Sequence, residues 1–185
     1  MFHRIKQVIA FVLVAVAHHA MAAPNAAPLG VEIGVATLEQ VKKDIGGRTR
    51  LSDAGTNVYS EGPMFKGDGT GLEIDGLSEI LFIFDKANKL AGVVMTLPKG
   101  GMGSENVRKV MGMLGEKYKT VQKNIPHVGN AYGKFKQGAS VVEVDAPHMS
   151  FTMEVRYLSD AFLASFNQRS QQERTEKQQK QKSQF

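Results

Sequence analysis

The stretch LSEILFIFDKANKLAGVVMTLP, residues 77–98, decides the fold. Two apolar runs flank the turn residues KANK, a pattern that predicts a β-hairpin. Residues 80–84 are apolar at every position, which is expected for a central strand that is covered on both faces. The hairpin therefore requires a helix on one face of its sheet and a second packing surface on the other.

A short amphipathic helix is predicted upstream of this hairpin. Thr37 and Gln40 have the spacing of a capping box, in which each side chain bonds to the backbone of the other. Val41 and Ile45 then lie on one helical face, and the glycine pair at 46–47 ends the helix. This helix is one candidate to cover the sheet.

Two more helices are predicted downstream. Ser104 is expected to cap a helix with apolar residues at helical spacing, and Gly115 is expected to end it. Ser159 is expected to cap a last helix anchored by Phe162, Leu163 and Phe166. Residues 168–185 contain almost no apolar side chains, so this basic tail is predicted to be a frayed helix or disordered.

Further strands are predicted at residues 57–60, 71–74, 131–136, 140–145 and 150–157. In the last of these, apolar and polar residues alternate. This alternation predicts one face that packs on the core and one solvent-exposed face, which we call the wet face of the sheet. The packed positions are Phe151, Met153, Val155 and Tyr157.

The two halves of the chain have similar sequence patterns. VKKDIGGRTR at 41–50 and VMGMLGEKYK at 110–119 share a valine, an aliphatic residue, a glycine and two basic positions. In the strands that follow, ILFIFD and VVEVD both end in aspartate. Because each half is too small to bury its own apolar face, we expect the halves to share one sheet.

The predicted fold class is therefore α+β. Two tandem helix-plus-antiparallel-sheet units, about 29–99 and 104–158, form one domain of residues 29–167 with a C-terminal helix. Residues 23–28, APNAAP, are expected to form a flexible leader.

The N-terminus has the pattern of a secretory signal peptide. Basic residues Arg4 and Lys6 precede an apolar run at 8–17, and Ala20-Met21-Ala22 fits a cleavage site. A membrane-spanning helix needs about 20 apolar residues, and this run is shorter. We expect cleavage after Ala22 and a periplasmic or secreted protein of a Gram-negative bacterium, without a transmembrane anchor.

Composition and charge argue against several classes of protein. The chain has no cysteine, which excludes a disulfide framework and a lipid-modified N-terminal cysteine. The net charge of +5 comes from the signal peptide and the tail. Residues 23–168 contain equal numbers of acidic and basic side chains, which argues against a nucleic-acid-binding face. The tail is expected to make at most weak contact with anionic surfaces.

No motif predicts catalysis, a metal or a cofactor. His127 and His148 lie in loops next to proline without the spacing of a metal site, so solvated loop histidines are favoured. The loop with Asp68, Glu73 and Asp75 departs from calcium-loop spacing. GGMGS at 100–104 lacks a phosphate-binding glycine pattern. We expect no enzyme activity.

Two segments resemble the β-lactamase-inhibitor-protein-like superfamily, which includes the small subunit of the outer-membrane barrel-assembly machine. They are IGVATLEQVKKDIG at 33–46 and FIFDKANKLAGVVM at 82–95. The resemblance implies a protein-binding fold without chemistry of its own. The matching positions are Gly34, Val41, Ile45, Gly46, Phe82, Phe84, Asp85 and Leu90. The lack of cysteine departs from relatives that have a lipid anchor or disulfides.

The wet face of the second half is the first candidate for binding. Tyr132, Phe135, Glu154 and Arg156 could supply the aromatic and arginine anchors that dominate interfaces, unless the two aromatic residues belong to the core. The expected function is recognition of another envelope or secreted protein, in envelope assembly or as an inhibitor. An immunity protein against a periplasmic toxin is one alternative, and an envelope hydrolase or small-ligand carrier is another.

The cleavage prediction can be tested directly. Protein recovered from the periplasm of an expressing Gram-negative host is expected to begin at Ala23, as read by N-terminal sequencing and intact mass. The variant Ala22→Arg removes the small residue that the peptidase requires, and it is expected to accumulate uncleaved in the membrane fraction. Wild-type protein that retains residues 1–22 would contradict the prediction.

Overall fold

A computed structural model describes residues 23–100 and 104–184. The predicted signal peptide and most of the GGMGS segment lie outside the described residues. No helix within these two ranges combines the length and the apolar character needed to cross a bilayer.

The described chain has an α+β fold, as predicted, with one antiparallel sheet and three helices. The strands are β1 Ser52–Thr56, β2 Glu61–Gly67, β3 Glu79–Asp85, β4 Leu90–Pro98, β5 Lys119–Asn124, β6 Ala131–Gln137, β7 Ser140–Ala146 and β8 Thr152–Ser159. The helices are α1 Leu38–Asp44, α2 Glu105–Lys117 and α3 Asp160–Lys182.

All eight strands belong to a single sheet in the order β1-β2-β3-β4-β8-β7-β6-β5. The predicted hairpin is formed by β3 and β4. The two halves meet where β4 pairs with β8, from Gly92 opposite Leu158 to Pro98 opposite Thr152. The last strand of each half is therefore central, and β1 and β5 are the edges.

The main core lies on the inner face of the sheet, beneath α1 and α2. Phe82 and Phe84 point inward from β3, and Phe135 points inward from β6. Val41 from α1 and Met111 from α2 cover them. Successive side chains of a strand point to opposite faces, so the residues that alternate with these on β3 point to the outer face.

A second, smaller core lies on the outer face of the first half. It joins Ile83 of β3 and Leu158 of β8 to Phe162 of α3, with Leu163 packed against it. The expectation that 80–84 is covered on both faces is therefore confirmed. The outer cover is α3, which continues as an exposed helix to Lys182.

Two of the three predicted helix caps form. The Thr37 side chain accepts from the Gln40 backbone, and the Gln40 side chain accepts from the Thr37 backbone. Ser159 Oγ accepts a hydrogen bond of 3.1 Å from Phe162 N. Ser104 precedes α2 but has a left-handed backbone, and its side chain caps no N–H group.

Several predicted boundaries are wrong. Residues 57–60 and 71–74 form turns and loops, and α2 continues past Gly115 to Lys117. Strands β1, β2 and β5 were also missed. The edge strands β1 and β5 have mostly exposed side chains and no apolar alternation to detect, and β2 contains Gly62 and Pro63, residues typical of turns. Phe151, expected on the packed face, is exposed just before β8 begins.

The N-terminal leader was expected to be flexible, but its residues pack against the second half. The Asn25 side chain accepts a hydrogen bond of 2.6 Å from Ala139 N, and Ala26 is fully buried. Ser140 Oγ accepts from Ala26 N at 2.8 Å and donates to Gln137 O at 2.6 Å. The buried Ser140 hydroxyl thus joins the leader to the β6–β7 turn.

Replacing Ser140 with Ala is expected to lower the free energy of unfolding by about 1–3 kcal/mol, because the buried Ala26 N–H loses its acceptor. Urea unfolding followed by circular dichroism measures this change. Ser165→Ala, on the exposed face of α3, is the matched control and is expected to change stability by less than about 0.5 kcal/mol. Equal stability of the two variants would contradict the role given to Ser140.

Candidate functional site

The open part of the outer face is formed by β6, β7 and β8, beyond the area that α3 covers. Tyr132, Asp145 and Glu154 lie opposite one another on these three strands. Two residues further along the same strands, Arg156 lies opposite Glu143. The structure therefore brings together three of the four predicted binding residues, Tyr132, Glu154 and Arg156.

The arginine on this face is bound by two carboxylates. Arg156 Nη2 lies 2.6 Å from Glu154 Oε2 and 3.1 Å from Asp145 Oδ2. Partial burial acts to lower the pKa of Arg156, but the two carboxylates outweigh burial and the pKa is raised. The guanidinium is fixed in place and stays charged.

Tyr132 is fixed in a similar way. Its hydroxyl donates a hydrogen bond of 3.0 Å to Glu143 Oε1, and Lys134 Nζ lies 3.1 Å from the same oxygen. Burial, together with the negative charge of Glu143, raises the pKa of Tyr132 to about 12. The open outer face is therefore a preorganised polar surface.

Phe135 does not belong to this surface. Its side chain is fully buried in the inner core, because it lies an odd number of residues from Tyr132 on the same strand. The expectation that Phe135 is an exposed anchor is wrong, and the alternative interpretation as a core residue describes it.

Sequence reasoning missed three exposed apolar residues in neighbouring loops at one end of the sheet. The β5–β6 and β7–β8 connections lie side by side there, since the strands are antiparallel neighbours. Val128, Met149 and Phe151 are 69%, 89% and 86% exposed. We call these three residues the apolar tip. Phe151 was assigned to a strand by alternation, but the strand begins one residue later.

Hydrogen bonds hold the two loops of the apolar tip together. His148 N donates to Asn130 Oδ1 at 2.8 Å, and Gly129 N donates to His148 Nδ1 at 3.3 Å. Buried Lys99 donates to Pro147 O at 2.6 Å and to His148 O at 3.3 Å. The apolar side chains are thus presented to solvent by a fixed backbone.

The other candidate groups make local contacts. His148 accepts the Gly129 hydrogen bond, and His127 is exposed in the adjoining loop. Asp68 Oδ1 accepts from Thr70 N at 3.0 Å, which lowers the pKa of that carboxyl. Within residues 23–100 and 104–184, no three His, Asp or Glu side chains converge as a metal site would require.

The inner face has a groove that the sequence did not predict. It has a volume of about 480 Å³ and lies over β4 and β8, between α2 and the segments around Leu29 and Ile74. We call it the central groove. Its floor consists of Met95, Leu97, Met153, Val155 and Tyr157.

Comparison with known proteins gives no relative. No protein-family model matches the chain, and neither a curated protein nor a solved structure matches it significantly. Functional inference therefore depends on the surfaces described above.

The pKa of Tyr132 predicts how stability depends on pH. Because the pKa rises from 10.0 to about 12 on folding, the folded state keeps the proton longer than the unfolded state. The free energy of unfolding is therefore expected to fall as pH rises from 10.0 towards 12. Urea unfolding at a series of pH values measures this slope. Tyr132→Phe is expected to make the slope shallower, and an unchanged slope would refute the assignment.

Proposed function

We propose that this protein is an exported, non-catalytic module of the bacterial envelope that recognises another protein through the apolar tip. The observation on which the proposal depends is the exposure of Met149 and Phe151 in a loop fixed by hydrogen bonds. Exposed apolar patches larger than scattered single residues mark interaction sites. A rigid loop also loses little conformational entropy on binding.

The composition of this end of the molecule supports a protein partner. Methionine and aromatic residues are enriched in the centres of interfaces, and polar residues surround them. The apolar tip supplies the centre, and the open outer face with Glu154 and Arg156 begins directly beyond it on β8. Binding is therefore expected to bury the tip and to leave the ion pairs at the rim.

The arrangement of the two halves supports the expected tandem units. In each half, one helix is followed by four sequential strands, α1 with β1–β4 and α2 with β5–β8. The final strands of the halves pair antiparallel at the centre of the sheet. We propose that the halves are repeats of one unit and that the resemblance to the β-lactamase-inhibitor-protein-like superfamily reflects this arrangement.

A second candidate function, a small-ligand carrier, is favoured by the central groove. Its volume of about 480 Å³ lies within the range of about 300–1,000 Å³ that is typical of small-molecule sites. The groove and the apolar tip are separate surfaces, so one protein can have both functions.

The test of the proposed function is affinity capture from an envelope extract. Wild-type protein is expected to retain one partner at near-stoichiometric yield, identified by mass spectrometry. The double variant Met149→Ser/Phe151→Ser is expected to weaken binding about 30-fold or more, because removal of interface anchors costs about 2 kcal/mol or more. Titration with the purified partner measures this change.

Val58→Ser is the matched control, since Val58 is 54% exposed in the β1–β2 turn at the opposite end of the sheet. This variant is expected to bind like wild type. The proposal fails if wild type retains no partner, or if both variants bind equally well while remaining folded by circular dichroism.

A further inference from the structure

The central groove has the shape of a site for one extended chain. Asn106, Lys109, Val110, Met113, Leu114 and Lys117 line one wall. These positions follow the pattern i, i+3, i+4, i+7, i+8, i+11, so they form a single face of α2. Eleven helical steps from Asn106 to Lys117 span about 16 Å. The hydrocarbon of one membrane leaflet is about 15 Å thick, so the wall is as long as one acyl chain.

The floor of the groove is apolar and adaptable. Met95 and Leu97 from β4 lie beside Met153 and Val155 from β8, and each of the four is at most 6% exposed. Met113 adds a third methionine from the wall. Methionine side chains are unbranched and polarisable, so they fit flexible apolar ligands of variable shape.

The charges of the groove differ between its ends. Glu73 and Asp75 line the end near Pro98, where Asn106 Nδ2 also donates a hydrogen bond of 3.1 Å to Pro98 O. At the opposite end, the lining consists of Lys117 and the ring of Tyr157. Lys109, one helical turn from Asn106, offsets only one of these two carboxylates, whereas the groove lining places no carboxylate beside Lys117. An anionic group is therefore attracted more strongly to the Lys117 end than to the Pro98 end.

Lys117 is available for such a group. Its ammonium lies 5.3 Å from the centroid of the Tyr118 ring, and it forms no ion pair with a carboxylate in the described part of the chain. The Tyr118 ring packs edge-on against the Tyr157 ring, with centroids 6.4 Å apart. The buried Tyr118 hydroxyl has no hydrogen-bond partner among the described residues. This end of the groove thus combines the Lys117 ammonium with the Tyr157 side chain.

We propose that the central groove binds an amphiphile with one acyl chain and an anionic head. The chain lies along Val110 and Met113 of the α2 wall, above the buried floor of the groove, and the head lies at Lys117 beside Tyr157. A free fatty acid and a lysophospholipid with an anionic headgroup share this chemistry.

A fluorescence titration with a dansyl-labelled undecanoic acid tests the proposal on the purified protein. Wild type is expected to bind the probe saturably, with a dissociation constant in the micromolar range of about 1–50 μM. Dodecanoate and a dodecanoyl lysophosphatidylglycerol are then added as competitors. Displacement by the first alone identifies a fatty-acid site, displacement by the second alone identifies a lysophospholipid site, and displacement by both supports the shared chemistry.

Charge reversal tests the position of the head. Lys117→Glu is expected to weaken binding of the probe about tenfold or more, which corresponds to about 1.4 kcal/mol. Arg108→Glu is the matched control, because it reverses a charge on α2 outside the groove lining. It is expected to change the dissociation constant less than about twofold. Met113→Asp places a charge in the wall and is expected to weaken binding of the chain.

Three outcomes would overturn the proposal. They are the absence of saturable probe binding to wild type, equal weakening by Lys117→Glu and Arg108→Glu, and displacement of the probe by dodecyltrimethylammonium as effectively as by dodecanoate. None of them bears on partner capture through Met149 and Phe151, so failure here is distinguishable from failure of the proposed function.

Discussion

The pairing of β4 with β8 is the interaction on which the rest of the structure depends. Seven residue pairs, from Gly92–Leu158 to Pro98–Thr152, join the last strands of the two halves. Neither half closes a core alone, because the inner cluster takes residues from β3 and β4 as well as from β6 to β8. The same two strands form the floor of the central groove, with α2 on one side and the segments around Leu29 and Ile74 on the other. Loss of this pairing would therefore remove the shared core and the groove together.

The parts of the fold that could be predicted from sequence are those with a local physical signal. The β3–β4 hairpin has continuous apolar runs around a turn, and Thr37 with Gln40 forms a reciprocal cap within one turn of helix. Edge strand β5 gave no signal, because all its side chains are exposed and only backbone hydrogen bonds to β6 define it. The apolar run at residues 80–84 predicted that both faces of β3 are covered. It did not predict that α3 covers the outer face, which depends on long-range contacts such as Ile83 with Phe162.

The candidate sites were harder to predict from the sequence, because they also depend on contacts between distant segments. The alternation of β8 placed Glu154 and Arg156 together on the wet face, but the second ion pair of Arg156 requires Asp145 from the neighbouring strand β7. Phe135 was misplaced because the other inward positions of β6 are Ala131 and Gly133, which give little apolar pattern to detect. The apolar tip depends on loops joined by hydrogen bonds between residues 18 and 19 positions apart in the sequence. The central groove depends on the spacing of three separate segments. Neither kind of contact has a local signature.

Strand β8 has the central groove on one face and the open outer face on the other. Met153, Val155 and Tyr157 face the central groove, and Glu154 and Arg156 face the opposite side, because successive side chains alternate across a strand. A ligand in the groove therefore cannot contact the outer face directly. The end of β4 offers a physical link, since Lys99 follows the groove residues Leu97 and Pro98 and bonds to the loop that presents the apolar tip. A shift of β4 on ligand binding would move Lys99 and its loop partners together, whereas a rigid β4 would leave partner recognition independent of the groove. The seven-residue register with β8 and the buried side chains on both sides of it favour the rigid case.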